Sequence, residues 1–489
     1  MGRKKNRFYI VIPNSLRGYL RVDIVGEAAS YKAAHFISIL TYHIVINYPD
    51  GRWFSKKPIS SYFLKTLYTD RYSKQVIKPL RVDGVIEVND SYSTELRFSK
   101  EYCLRRDIID EVIQGDVCRV FISKNTLIKK INDWRRKTLS LQMEKYHFIE
   151  KEAEMLLHLN IDRAVLKQLF DSRVEAIQHT EYKNKQLAII IATRGQEEIV
   201  ALTEAKDLLD ARVRYSSGRV YHPLVNCPKE FRKAIVDDDN QPYVEIDLRS
   251  SQAVFLCKVI AVALKHKLIT FEYGKRAEAS DNLIEQIIPL LDEPINVLEE
   301  GVYPSDFRAF VSAVFFDDIY EDANPENISQ NAYIQVGDEV YLTHSSARLS
   351  GSKTLVGEAR DQAKRQFFKD IFFNYYIKEN YGIEGQLSIS SEYLEDFAKS
   401  YYTVYEFCRI CALQSKEGKK KSRDLALLLQ KTESKFFHEL LPAVLKELEP
   451  FNYFVVHDAV YVLQKHQEAV INACNKLSQE FFGAIPKFR

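Results

Sequence analysis

The chain has 489 residues, of which 46% are hydrophobic and 28% charged, with a net charge of +2. That length exceeds one hydrophobic core and implies two to four domains of ordinary globular composition. The near-neutral charge excludes attraction of nucleic acid by the chain as a whole, so any such binding must come from local patches.

The seven cysteines are scattered, and Cys408 with Cys411 form a lone CxxC without a second pair or nearby histidines. That spacing implies reduced, packed thiols rather than zinc ligands, in a reducing compartment. No apolar run approaches ~18 residues and no signal peptide is read, so a soluble, cytoplasmic protein without a membrane partner is expected. The 29 tyrosines and 28 phenylalanines suit a large core first and base stacking second.

In chain order, residues 1–6 read as a short basic, solvated tail. Helices are predicted over 33–45 and, opened by Pro58, over 58–67. Asp70 stands where it can cap a third helix, 71–81, which carries Arg71, Lys74, Lys78 and Arg81. Gly84 ends that helix, and residues 85–88 turn at Asn89-Asp90 into a returning strand at 95–98. Three helices and a hairpin are the pattern of a winged helix, which sets its basic helix in a major groove or binds protein. Both uses stay open for this module, residues 1–110.

Residues 111–210 are helical and charged. No glycine or proline interrupts 116–194, so long helices with solvated faces are expected there. From 211 the pattern changes to short strands and helices. An insert at 266–355 reads as acidic and irregular, broken at Asp292-Glu293-Pro294 and Asn324-Pro325. No internal repeat is present.

The chemistry concentrates in three places. The apolar strand Tyr243-Val244-Glu245-Ile246-Asp247 delivers an aspartate to its end, and a polar turn through Gln252 then opens an apolar helix over 253–264. Far downstream, the apolar stretch 451–462 presents Asp458 after His457. Carboxylates projected from adjacent strands can share divalent ions, and magnesium prefers one or two carboxylates with substrate phosphates. Between them, Arg360, Lys364, Phe368 and Phe372 recur every four residues and share one helix face. Two cations followed by two aromatics suit a nucleotide, with the triphosphate on the cations and the sugar and base on the rings. The same stripe also fits an amphipathic helix with a buried aromatic edge.

In this order the signals resemble family A DNA polymerases and the related single-subunit phage-type RNA polymerases. Gly218-Arg219-Val220-Tyr221, with Asn226 and Pro228, comes first, then Asp247. Asp317-Asp318-Ile319-Tyr320, the stripe from Arg360 to Phe372, Leu429-Gln430-Lys431-Thr432-Glu433-Ser434 and Val456-His457-Asp458 follow. The resemblance covers about residues 211–480. It implies an α+β fold: a right-hand palm on an antiparallel sheet (211–265 and 436–489), helical fingers with the acidic insert (266–435), and a thumb-like helical region (111–210). No Asp-x-Glu strand precedes the palm, so the family's exonuclease domain is not expected here.

The resemblance further implies that Asp247 and Asp458 hold two Mg²⁺ ions, for which Mn²⁺ can substitute. Arg360 and Lys364 would clamp the incoming triphosphate, and Lys364 would protonate the leaving group. Phe368 would lie against the sugar and Phe372 near the templating position. His457 would contact the primer terminus, and Arg219 and Gln430 the minor groove of the nascent duplex. The partners implied are a DNA or RNA template and primer and nucleoside triphosphates. The basic run 416–423 fits either a template path or a solvated loop.

Three positions depart from the family. Gln252 stands where DNA enzymes place the glutamate that excludes a ribose 2′-hydroxyl, and Ala459 replaces the glutamate after His-Asp. Phe372-Phe373 stands where tyrosine and glycine are usual. The expected activity is template-directed DNA synthesis, in replication of a phage, plasmid or other mobile element. RNA synthesis as a polymerase or primase, and an inactive winged-helix replication initiator, are the alternatives. A template-independent transferase is a narrower variant. The oligomeric state is not legible.

Overall fold

The structure is a computed structural model. It describes residues 8–19, 28–47, 56–91, 99–122, 125–179, 185–204, 212–213, 217–271, 277–316, 333–336, 339–342, 397–398, 400–414, 423–448 and 451–488. Arg360, Lys364, Phe368, Phe372 and Phe373 lie outside the described residues, as do 1–6, 95–98, 317–320 and 416–422. Contacts group the chain into two units. One is Met1–Arg212 with Tyr221–Pro242; the other is Val213–Val220 with Tyr243–Arg489.

The first unit is built around the helix Ala28–Asn47, where Ala34, Phe36, Ile37, Leu40 and Ile44 are buried. One continuous apolar cluster runs from Ile10 to Ile131 through this helix. Each such aliphatic or aromatic side chain contributes about 1.5–3 kcal/mol on burial. The helix also buries a polar pair: His35 Nδ1 lies 2.6 Å from the Tyr68 hydroxyl. Burial, with the nearby Arg135, pulls the imidazole down to about 4, so it stays neutral at ordinary pH.

Beside it stand a second helix, Ser61–Tyr68, and a helical stretch over 72–82 that contains a π-helical turn, Ser73–Ile77. A three-stranded antiparallel sheet follows in the order Lys57–Pro58, Glu101–Leu104, Ile86–Asn89.

Two expectations change here. The helix expected to open at Pro58 begins at Ser61, capped by Ser60, whose side chain accepts from Tyr62 N at 3.2 Å. Pro58 instead ends a short strand paired with Glu101, a non-local partner that local pattern cannot reveal. Among the described residues, the strand that pairs with Ile86–Asn89 is Glu101–Leu104; the expected strand 95–98 lies outside them. The stretch over 72–82 is entered through a backbone bond, Tyr72 N to Thr69 O at 3.0 Å, rather than through an Asp70 cap.

The region 111–210 is not wholly helical either. Val117–Ile122, a run rich in β-branched and aromatic residues, pairs antiparallel with Phe8–Pro13. The helices Asn125–Met143, Phe148–Leu157, Arg163–His179 and Lys185–Glu204 follow.

In the second unit the insert after 266 is more regular than its composition suggests. The helix Ser305–Phe315 buries Phe307, Phe310, Val311, Val314 and Phe315. Asp306 caps the helix Tyr402–Gln414, accepting from Thr403 N at 2.6 Å and Thr403 Oγ1 at 2.9 Å. Cys408 and Cys411 are buried one turn apart on that helix, and burial pushes the Cys411 thiol well up, away from thiolate.

At the centre lies the helix Ser251–Lys265, buried at nearly every position from Ala253 to Ala263. It packs against the helices Arg423–Ser434 and Ser305–Phe315. Phe255 meets Phe436, Phe437 and Phe482 at ring separations of 5.9, 6.4 and 5.9 Å. No helix among the described residues is long and apolar enough to cross a membrane.

Gly195 tests the packing of the first unit. It sits inside the helix Lys185–Glu204, where alanine would favour the helix by up to about 1 kcal/mol. A Cβ there would meet Pro228 Cδ at 2.3 Å, and such overpacking costs about 1–3 kcal/mol. Gly195→Ala is therefore expected to destabilise, read as a lower urea midpoint for unfolding of this unit.

Candidate active site

The central sheet of the second unit has three antiparallel strands in the order Tyr243–Asp247, Ala459–Leu463, Tyr453–Val456. The last two are buried at every position, so their apolar runs are continuous rather than alternating. The register sets Asp247 opposite Ala459, and Leu248 N donates to Asp458 O at 3.0 Å. Asp247 therefore ends one strand while Asp458 immediately precedes its neighbour.

The sequence suggested that Asp458 rides on a strand; it lies instead in the two-residue turn His457-Asp458 between Tyr453–Val456 and Ala459–Leu463. His457 has φ +57°. Short hairpin turns need a positive φ to match the strand twist, and histidine is among the non-glycine residues that tolerate it. The turn sets Asp458 at the same end of the sheet as Asp247, and both carboxylates are half-buried.

After Asp247 the chain turns through Ser250, at φ +53°, into the helix Ser251–Lys265. Ser251 Oγ donates to Asp458 Oδ2 at 2.5 Å, which ties the second carboxylate to the helix that follows the first. A helix N-terminus favours negative charge beside it. Gln252 lies in the first turn of this helix, half-buried. The helix thus starts two residues earlier than the apolar pattern alone indicated.

A second pair stands next to these. Glu433, near the end of the helix Arg423–Ser434, is buried, and its carboxylate receives Arg219 Nε at 2.7 Å and Nη2 at 2.6 Å. Burial pushes the Glu433 carboxyl up to about 7; Arg219 opposes the rise and the charge of Asp458 adds to it. The next residue, Ser434, donates from Oγ to Gly218 O at 2.7 Å. Gly218 has φ +70°, and a Cβ there would meet Ser434 Oγ at 3.0 Å, so glycine is required both by conformation and by space. Gln430, one turn earlier on the helix, is half-buried, and its Oε1 is enclosed without a hydrogen-bond partner among the described residues.

The structure therefore sets Asp247, His457 and Asp458 at one end of one sheet, with Gln252 next to the Ser251 that bonds Asp458, and Arg219 on Glu433 one turn from Gln430. Glu433 and Ser251 were not singled out from the sequence. Glu433 lies inside the motif Leu429–Ser434 without any charge pattern to mark it, and Ser251 reads as an ordinary helix start.

Arg71, Lys74, Lys78 and Arg81 belong to the first unit, on or next to the helical stretch 72–82, and all are exposed. Arg81 Nη1 and Lys100 Nζ each reach Asp90 at 2.7 Å, and these bonds hold the Asp90 carboxyl below its usual range.

Among the described residues no three His, Cys, Asp or Glu side chains converge as a metal cluster. Two half-buried carboxylates alone are a donor set of hard oxygens. They fit an ion such as magnesium that completes its shell with water and phosphate. They do not fit a closed zinc site.

No protein-family model and no curated protein matches the chain. Among solved structures it is similar to the POL domain of Pol1 from M. smegmatis in complex with DNA primer-template and dNTP. The identity is 13%, over 78% of this chain and 74% of that chain, with a TM-score of 0.38.

The raised Glu433 carboxyl has a measurable sign. Its proton is held more tightly in the folded than in the unfolded chain between about 4.5 and about 7, so over that window it makes stability fall as pH rises. Glu433→Gln lacks this titration. The unfolding free energy of the variant relative to the parent, from denaturant titrations in metal-free buffer, is expected to increase from about pH 5 to about pH 8.

Proposed function

We propose that the chain is a nucleotidyltransferase that extends a primer on a template, with DNA as its product. The observation that carries this reading is the placement of Asp247 and Asp458 at one end of two paired strands, one register step apart, with Ser251 tying Asp458 to the following helix. Asp247 and Asp458 would hold magnesium, which when bound supplies positive charge for activating a 3′-hydroxyl and for the leaving pyrophosphate.

The remaining roles fall to side chains of the chain itself. Ser251 fixes the rotamer of Asp458. Gln252, in the first turn of the same helix, is near enough in sequence to Asp247 to meet the sugar of an incoming nucleotide. His457, Arg219 and Gln430 surround the carboxylates with donors suited to a primer end. Arg360 and Lys364 would hold the triphosphate, with Phe368 and Phe372 against the sugar and base, and Lys364 would give the leaving group its proton. In the first unit, the order helix, strand, two helices and hairpin supports a winged-helix module. Its exposed Arg71, Lys74 and Lys78 are available to duplex phosphates.

Primer extension tests the reading. Labelled dNTPs on a primed template with Mg²⁺ or Mn²⁺ are expected to be incorporated by the parent chain. Asp247→Ala and Asp458→Ala are each expected to fall to the level seen without protein. Parent activity equal to that of the variants would refute it and leave a DNA-binding initiator. Gln252 supports a second reading, RNA synthesis, so rNTPs form a parallel arm; a strong rNTP preference would replace DNA by RNA as the product.

The first unit is tested by duplex affinity against salt. Each phosphate contact contributes a slope of roughly −0.9 in log K against log salt. Lys74→Ala with Lys78→Ala is expected to flatten the slope by about 2 and to weaken binding alike on unrelated sequences. An unchanged slope would assign this helix to a protein partner.

A further inference from the structure

The Arg219–Glu433 pair is costly to bury. The side chain of Glu433 is 1% exposed and that of Arg219 13%. Burying such a pair is often no more stabilising than burying apolar side chains of the same volume, so stability does not account for it. Orientation does. Two parallel N–H···O bonds, at 2.7 and 2.6 Å, fix the plane of the guanidinium as a single contact could not. The next residue, Ser434, grips the carbonyl of Gly218, so one helix end clamps both the backbone before Arg219 and its side chain. Gln430, half-buried one turn back on the same helix, carries an amide N–H donor. The helix that carries Glu433 packs against the helix Ser251–Lys265, whose first residue holds Asp458.

We infer that Glu433 is a positioning residue, holding Arg219 in the one orientation in which it and Gln430 grip the minor-groove edge of the base pair at a primer end. This rests on the proposed reading of the site. The ligand class is that of the proposed reading, and the chemistry of the two groups fits it. Every base pair presents acceptors on the minor-groove edge, so guanidinium and amide donors there bind any sequence. An enzyme that must extend any primer requires that indifference.

The test is a double-mutant cycle on the full-length chain. Parent, Glu433→Gln, Arg219→Met and the double variant are compared for affinity to a primed template and to a blunt duplex of equal length, by fluorescence anisotropy without nucleotide. The ratio of the two dissociation constants cancels binding by the first unit. Glu433→Gln keeps one acceptor and the shape of the side chain. It is expected to weaken the preference for the primed template roughly tenfold in the parent background, and to change nothing further with Arg219→Met present. Equal effects in both backgrounds, or none in either, would overturn the assignment.

Arg219→Met with Glu433→Leu replaces the pair by apolar groups and keeps the comparison possible should Glu433→Gln fail to fold. This variant is expected to fold and to lose the primed-template preference as fully as Arg219→Met alone; retained preference would count against the inference. Nucleotide incorporation is measured in parallel on the parent. Incorporation without coupling sinks the positioning role alone, whereas coupling without incorporation sinks only the polymerase reading.

Discussion

A one-residue slip between the strands Tyr243–Asp247 and Ala459–Leu463 would turn every side chain of one strand to the opposite face. Asp247 would then leave the end of the sheet where the chain turns through Asp458. The register is held from several sides. Phe454 stacks on Tyr461 with ring centroids 4.6 Å apart and planes within 6°, and Tyr243 packs on Phe454 at 5.3 Å. Beyond the strand ends, Leu248 N bonds Asp458 O and Arg249 N bonds Lys487 O, each at 3.0 Å. The two aspartates stay together because apolar packing and backbone pairing agree on one alignment. No direct bond between them is needed.

The helix Ser251–Lys265 carries that alignment into the rest of the second unit. Its first residue holds Asp458, and its middle is anchored by a lysine with no solvent exposure, Lys258. Lys258 Nζ donates to the carbonyls of Glu293 and Phe481, and it lies 4.2 Å from the centroid of the Phe481 ring. Phe481 O belongs to the last turn of the helix Gln467–Phe482, where cations are favoured by the helix dipole. Burial still dominates and pulls the amine down to about 7. The helix that begins at the site is thereby fastened to the helix that covers the sheet, so the ends of both strands share one rigid frame.

The legible parts of this chain were those with local signals. The apolar strand ending at Asp247, the helix after it and the basic helix with Arg71, Lys74 and Lys78 all follow from periodicity and punctuation within about ten residues. The strand Val117–Ile122 was missed because its partner, Phe8–Pro13, is distant in sequence and no glycine or proline separates it from the helices that follow, although its own β-branched and aromatic residues favour a strand. Pro58 was read as a helix start because proline favours that position, whereas its pairing with Glu101 decides the outcome. Asp458 was placed on a strand because nothing in Val-Val-His-Asp-Ala-Val announces a turn; histidine at positive φ is an uncommon substitute for glycine or asparagine. Glu433 could not be found by pattern at all, since a buried acid is recognised only by the arginine it meets, and Arg219 is distant in sequence.

Burial alone divides the labour among the three carboxylates near this sheet end. Glu433 is enclosed and already pays its desolvation against a bidentate arginine, so it has neither the water access nor the lone-pair directions to take up a hydrated ion. Asp247 and Asp458 are half-buried at a strand end and in a turn, where a hydrated cation can approach without the penalty of a closed cage. Glu433 orients Arg219 through two hydrogen bonds, and Asp458 is oriented by a neutral hydroxyl. The Arg219 guanidinium is meanwhile held by a different acid, Glu433. Exchange of either arrangement, an arginine on Asp458 or a hydroxyl on Glu433, would remove the asymmetry that separates a cation-binding site from a structural ion pair.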